Sequence, residues 1–94
     1  MEATDLAFAG IAGQAELIAS GEVSSRELVE LYLKRIERFD GQLNAFRVVF
    51  AERALLEADQ ADARRRAGSP PAQRPLLGVP IAVKDDIDVA GEVT

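Results

Sequence analysis

Residues 76–94 read Leu76-Leu77-Gly78-Val79-Pro80-Ile81-Ala82-Val83-Lys84-Asp85-Asp86-Ile87-Asp88-Val89-Ala90-Gly91-Glu92-Val93-Thr94. An almost unbroken apolar run ends on Lys84 and then turns acidic at Asp85, Asp86 and Asp88. A run of this length suits a strand, Gly78–Lys84, buried on both faces as in the mixed or parallel sheets of α/β proteins. Side chains alternate along a strand, so Val79, Ile81 and Val83 share one face and Pro80, Ala82 and Lys84 the other. Pro80 cannot donate to a ladder and belongs at the strand's start or at a sheet edge. Active sites of such sheets gather at the carboxyl ends of strands, where Lys84 falls.

Two readings of Lys84 follow from the residues alone. A lysine closing an apolar strand can be partly desolvated, which disfavours the ammonium form and frees an amine to act as a base. Alternatively the side chain snorkels to water or pairs with Asp85, Asp86 or Asp88, and stays protonated. Those three aspartates lack the glycine and distal glutamate of a calcium loop, so no metal site is expected. No cofactor is expected either.

Upstream, Ser69-Pro70-Pro71-Ala72-Gln73-Arg74-Pro75 carries three prolines and reads as an exposed extended linker over 69–75. It divides the lysine segment, 76–94, from a largely helical portion, 1–68. Within that portion Asp5 to Ser20 predicts a first helix, with Leu6, Ile11, Leu17 and Ile18 as apolar positions and Gly21 as its stop. Ser24-Ser25-Arg26-Glu27 reads as a capping box. Leu28, Leu31, Tyr32, Ile36 and Phe39 then form one helical stripe, opposite Glu30, Lys34, Glu37 and Arg38, and Gly41 is the expected end. Ala45–Phe50 predicts a short strand near 45–50. Ala51 to Ala67 predicts a third helix with Ala54, Leu55, Ala58 and Ala61 inward, followed by Gly68.

Composition narrows the chemistry. Ninety-four residues make at most one small domain, 1–94, whose aromatic content is limited to four Phe and one Tyr. The net charge of −5 argues against nucleic acid as the main ligand. The one basic cluster, Arg64-Arg65-Arg66, follows four acids between Glu52 and Asp62, an order that complements a helix dipole. With no cysteine and no histidine, neither a Ser-His-Asp nor a Cys-His arrangement can be assembled from this chain. The first residues, MEATDLAFAG, carry acids where a secretory signal has bases, and no apolar run approaches membrane-spanning length. A cytoplasmic location without membrane contact is the expectation.

The stretch Pro75 to Gly91 resembles the lysine-bearing segment of the amidase signature family, whose pattern runs PLxGxPxxVKDNIDVxG. Ser24–Asn44 and Ala45-Phe46 are similar to that family's capped amphipathic helix and following strand. Ala54 to Asp62 is similar to its alanine-rich helix with a late aspartate. Nearly the whole chain from Leu17 onward is covered. One departure is Asp86, which stands where asparagine is commoner and places another negative charge near Lys84.

The resemblance implies an α/β fold with a mixed central sheet covered by helices, of which this chain would supply the N-terminal helices and first strands. It also implies hydrolysis of small carboxylic amides by a Ser–cis-Ser–Lys triad, with Lys84 as the basic end. A lysine can replace imidazole in activating a hydroxyl. The family's two serines lie in a GGSSGGS-type loop downstream of the lysine segment. The serines here are Ser20, Ser24, Ser25 and Ser69, none in a glycine-rich loop. By that likeness the chain is an N-terminal portion and is inert by itself. A homodimer stays open as its assembly. Two alternatives stand beside the amidase. The glutaminase component of the aminoacyl-tRNA amidotransferase shares the lysine motif and works with partner subunits. A helical interaction module would instead dock through Leu28–Phe39 and leave Lys84 without a role.

Overall fold

The computed structural model describes residues 3–46, 48–68, 74–84 and 89–90. Its regular elements are the helices α1 (Ala3–Ala7), α2 (Gly10–Ser20), α3 (Ser25–Leu43) and α4 (Ala51–Arg66). Asp85, Asp86 and Asp88 and most of the expected linker, 69–73, lie outside the described residues.

Local signals account for most helix ends. Ser24 caps α3: its Oγ accepts the Glu27 amide at 3.0 Å, and the Glu27 carboxylate accepts the Ser24 amide at 3.1 Å. This is the expected capping box, and each side chain satisfies an amide that the first turn leaves unpaired. Gly21 stops α2 at φ +82°, a left-handed conformation that glycine adopts without a Cβ penalty. The arginines of the last turn of α4 face its dipole as expected, and Gly68 follows in positive φ.

Two expectations require correction, and a third finds no support among the described residues. The first helix is two: Phe8 and Ala9 break it, and Gly10 reopens the chain at φ +80°. Gly41 does not end α3. The helix runs on to Leu43, and Asn44 takes the left-handed position at φ 51°. Asp40 makes this ending possible, because its Oδ1 accepts the amides of Ala45 at 2.6 Å and Phe46 at 3.1 Å. Finally, no strand occurs among the described residues, neither near 45–50 nor at 78–84. A strand exists through its ladder. Neither segment has a described ladder partner, so the mixed sheet does not appear within these residues.

The core lies between α2 and the start of α3. Ile18 and Leu28, 1% and 0% exposed, pack with Val23. Leu6 of α1, Leu17, Tyr32 and Val79 close around them. Helix α3 also packs along α4, whose Ala54, Leu55, Ala58 and Ala61 are buried or half-buried as the pattern predicts. Polar ties complete the corner: the Tyr32 hydroxyl donates to the Ala7 carbonyl at 2.8 Å and accepts from Gln14 Nε2 at 2.6 Å. Gln14 Nε2 also donates to the Leu6 carbonyl, so this buried amide is satisfied. No described helix is long and apolar enough to cross a membrane.

Candidate functional site

The lysine segment reaches the helices through Gly78. Among the first-turn amides of α3, those of Ser25 and Arg26 are taken by one carboxylate on α4: Asp62 Oδ1 accepts from Ser25 at 2.8 Å and Oδ2 from Arg26 at 3.1 Å. Glu27 is served by the Ser24 hydroxyl, and Leu28 donates to the Ser24 carbonyl. All the first-turn donors are therefore paired, and the Ser25 hydroxyl is left to point outward. It donates to the Gly78 carbonyl at 2.6 Å. Gly78 adopts φ +93°, and a Cβ built on it would lie 3.1 Å from Ser25 Cβ. Only glycine meets both demands, the dihedral and the close approach. Arg65 Nη2 donates to the neighbouring Leu77 carbonyl at 3.3 Å.

From this anchor the chain leads through Val79, which joins the core, to Pro80, Ile81, Ala82, Val83 and Lys84. The expected burial on both faces is absent. Ile81 is 81% exposed, Val83 is exposed, and Lys84 itself is exposed. The serines are committed elsewhere. Ser20 Oγ donates to the Leu17 carbonyl, Ser24 serves the cap and Ser25 holds Gly78, while Ser69 lies outside the described residues. None stands as a nucleophile beside Lys84.

An open apolar groove of about 430 Å³ runs between α3 and residues 80–82, with Tyr32, Ile36, Phe39, Phe46 and Ile81 among its walls. Lys84 is not part of its lining, so the groove and the candidate base are separate features. Phe39 also carries the Arg35 guanidinium 5.5 Å above its ring, and the same guanidinium lies 5.3 Å from the Phe8 ring. That contact ties the break between α1 and α2 to α3. Among the described residues no group of His, Cys, Asp and Glu could hold a metal ion.

Sequence reasoning singled out Lys84 as the candidate base and did not foresee the contact that anchors Gly78. Ser25 was legible only as a member of the capping box, and Gly78 only as a strand residue. A signal for Asp62 was present. Asp62 is the late aspartate of the alanine-rich segment, three residues after Asp59. Asp59 Oδ2 accepts from Arg26 Nη1 at 2.7 Å.

Comparison with known proteins finds relatives of this chain. The family model described as Amidase matches residues 27–94. The protein named "Putative amidase AmiB2" of Mycobacterium tuberculosis is 55% identical over 94 residues, covering all of this chain and 20% of its own length. "Putative amidase AmiA2" of Mycobacterium bovis is 53% identical over 77 residues, 82% of this chain and 15% of its own. A glutamyl-tRNA(Gln) amidotransferase subunit of Synechococcus is 49% identical over 74 residues, 79% of this chain and 15% of its own. The chain thus spans a fifth or less of the length of these relatives. No solved structure matches it.

Proposed function

The chain belongs to the amidase family, and from that premise we propose that it is the lysine-bearing N-terminal portion of an enzyme that hydrolyses carboxylic amides to an acid and ammonia or an amine. The observation that carries the reading is the family match across 27–94, which takes in the Gly78 anchor and Lys84 together. In this reading Lys84 is the base of a Ser–cis-Ser–Lys triad, and both serines come from polypeptide beyond these residues. The neutral amine accepts a proton from the bridging serine, which takes it from the nucleophilic serine. The nucleophile attacks the amide carbon, backbone amides stabilise the oxyanion, and the leaving nitrogen departs protonated. Water then releases the acyl group as the acid.

Two requirements follow. The lysine has to be covered, because a base works best with its proton affinity matched to the operating pH and a solvated ammonium does not meet that need. The exposed flank of Ile81, Val83 and Lys84 is the face such a cover would occupy. The chain by itself is also inactive, since its described serines are all engaged in backbone contacts. Incubating the purified 94-residue chain with simple amides tests this directly, and turnover above the protein-free rate would overturn it. In the full-length protein, Lys84→Ala lowers amide hydrolysis by orders of magnitude. Activity equal to the parent's refutes the assignment.

The ligand in this reading is a small amide in a cytoplasmic enzyme, with no cofactor. The similarity to amidotransferase subunits favours one second reading, in which glutamine is the amide and partner subunits receive the ammonia. Glutamine hydrolysis that rises on adding such partners, with little turnover of other amides, selects that reading. An interaction module is the rival of another class. It keeps partner binding intact in Lys84→Ala and shows no hydrolysis.

A further inference from the structure

Asp62, Ser25 and Gly78 form a continuous polar connection that the proposed chemistry does not use. It starts on α4 at the Asp62 carboxylate, passes through the first turn of α3, and ends on the Gly78 carbonyl. Ser25 is 2% exposed, so its hydroxyl has no alternative partner in bulk water, and leaving the Gly78 carbonyl unpaired there would carry a desolvation cost. The contact is steric as well as polar, since Gly78 approaches Ser25 as closely as a glycine permits. Lys84 lies six residues further along a stretch without helix or ladder. Gly78 is thus a fixed point on the described path that leads to its backbone.

We propose that Ser25 and Asp62 are positioning residues for Lys84: the carboxylate fixes the first turn of α3, and the buried hydroxyl holds the backbone from which the lysine extends. The proposal rests on the amidase reading and deepens it. A base must sit within hydrogen-bond reach of the hydroxyl it deprotonates, about 2.6–3.2 Å, and a long lysine side chain holds that distance only if its backbone is fixed. A displacement of about 1 Å at a reacting group can cost on the order of 10²-fold in rate. Asp62 suits the task because its two oxygens accept from the Ser25 and Arg26 amides and so fix the turn that carries the Ser25 hydroxyl.

The test uses the full-length amidase carrying this segment, with propionamide and benzamide as substrates. Ser25→Thr and Ser25→Val have the same shape and differ only in the hydroxyl. The valine variant is expected to lose up to about 10²-fold in kcat relative to the threonine variant, with KM unchanged. Equal kcat values, or a difference confined to KM, overturn the proposal. Where the Ser25 variants do not fold, Asp62→Asn, which keeps the shape and one acceptor oxygen, gives the same readout. A fall in kcat at unchanged KM supports the proposal, and the parent's kcat overturns it. Lys84→Ala separates the two levels. Loss of activity there with equal Ser25 variants refutes positioning and leaves the amidase reading standing, whereas undiminished activity in Lys84→Ala refutes both.

Discussion

A Cβ placed on Gly78 would lie 3.1 Å from the Cβ of Ser25, although 53 residues of chain separate the two. Gly78→Ala therefore faces two penalties. The left-handed φ of +93° costs about 1–2 kcal/mol for a residue with a side chain, and crowding against Ser25 adds about 1–3 kcal/mol. Gly21 is the control, because its φ is +82° with nothing within 4 Å of the added carbon. Denaturant titration should show Gly78→Ala more destabilising than Gly21→Ala. Equal losses would mean that the close approach carries no energy.

Lys84→Arg distinguishes a base from a surface charge. Arginine keeps the positive charge and much of the reach, yet its guanidinium does not deprotonate in proteins. In the full-length enzyme it is expected to be as inactive as Lys84→Ala. Near-parental turnover would assign Lys84 to charge pairing.

Tyr32 joins α3 to the break between α1 and α2 through Ala7 and Gln14. Tyr32→Phe removes a donor from the Ala7 carbonyl and an acceptor from the buried Gln14 amide, at a cost of about 1–3 kcal/mol. Because Gln14 keeps only its bond to the Leu6 carbonyl in that variant, Gln14→Leu should cost less in the Tyr32→Phe background than in the parent. Additive losses would sink this account of the corner.

Leu28 and Leu56 test where the core ends. Leu28 is fully buried and Leu56 is 58% exposed. Leu28→Ala should cost about 2–5 kcal/mol and Leu56→Ala within about 0.5 kcal/mol, read from denaturation midpoints. Comparable values would show that Leu56 is covered in solution.

What was legible in the sequence was local. The Ser24–Glu27 box spans one helical turn, and the inward face of α4 follows from its period, so both were read from neighbouring residues. The extension of α3 past Gly41 escaped because the Asp40 carboxylate, by taking the Ala45 and Phe46 amides, makes Asn44 the better ending. The strands at 45–50 and 78–84 rested on apolar content, which reports burial without saying what pairs with the backbone. Lys84 emerged as a candidate base from resemblance, since its own chemistry favoured a snorkelling or paired charge. The Asp62–Ser25 bond escaped altogether. It joins residues 37 apart, and no periodicity encodes such a meeting.

The way residues 77–84 are fastened has a thermodynamic consequence. At residues 77–79 the fastening is by the Ser25 and Arg65 side chains and by the packing of Val79, with no described ladder. Releasing those contacts frees the segment while α3 and α4 keep their own packing. Such an opening is sub-global, and its free energy lies below that of unfolding the whole. Backbone amides of 79–84 should accordingly exchange with deuterated solvent ahead of those in the middle of α3. Whatever packs over the exposed Ile81 and Val83 would stabilise the fastened form of the segment by mass action.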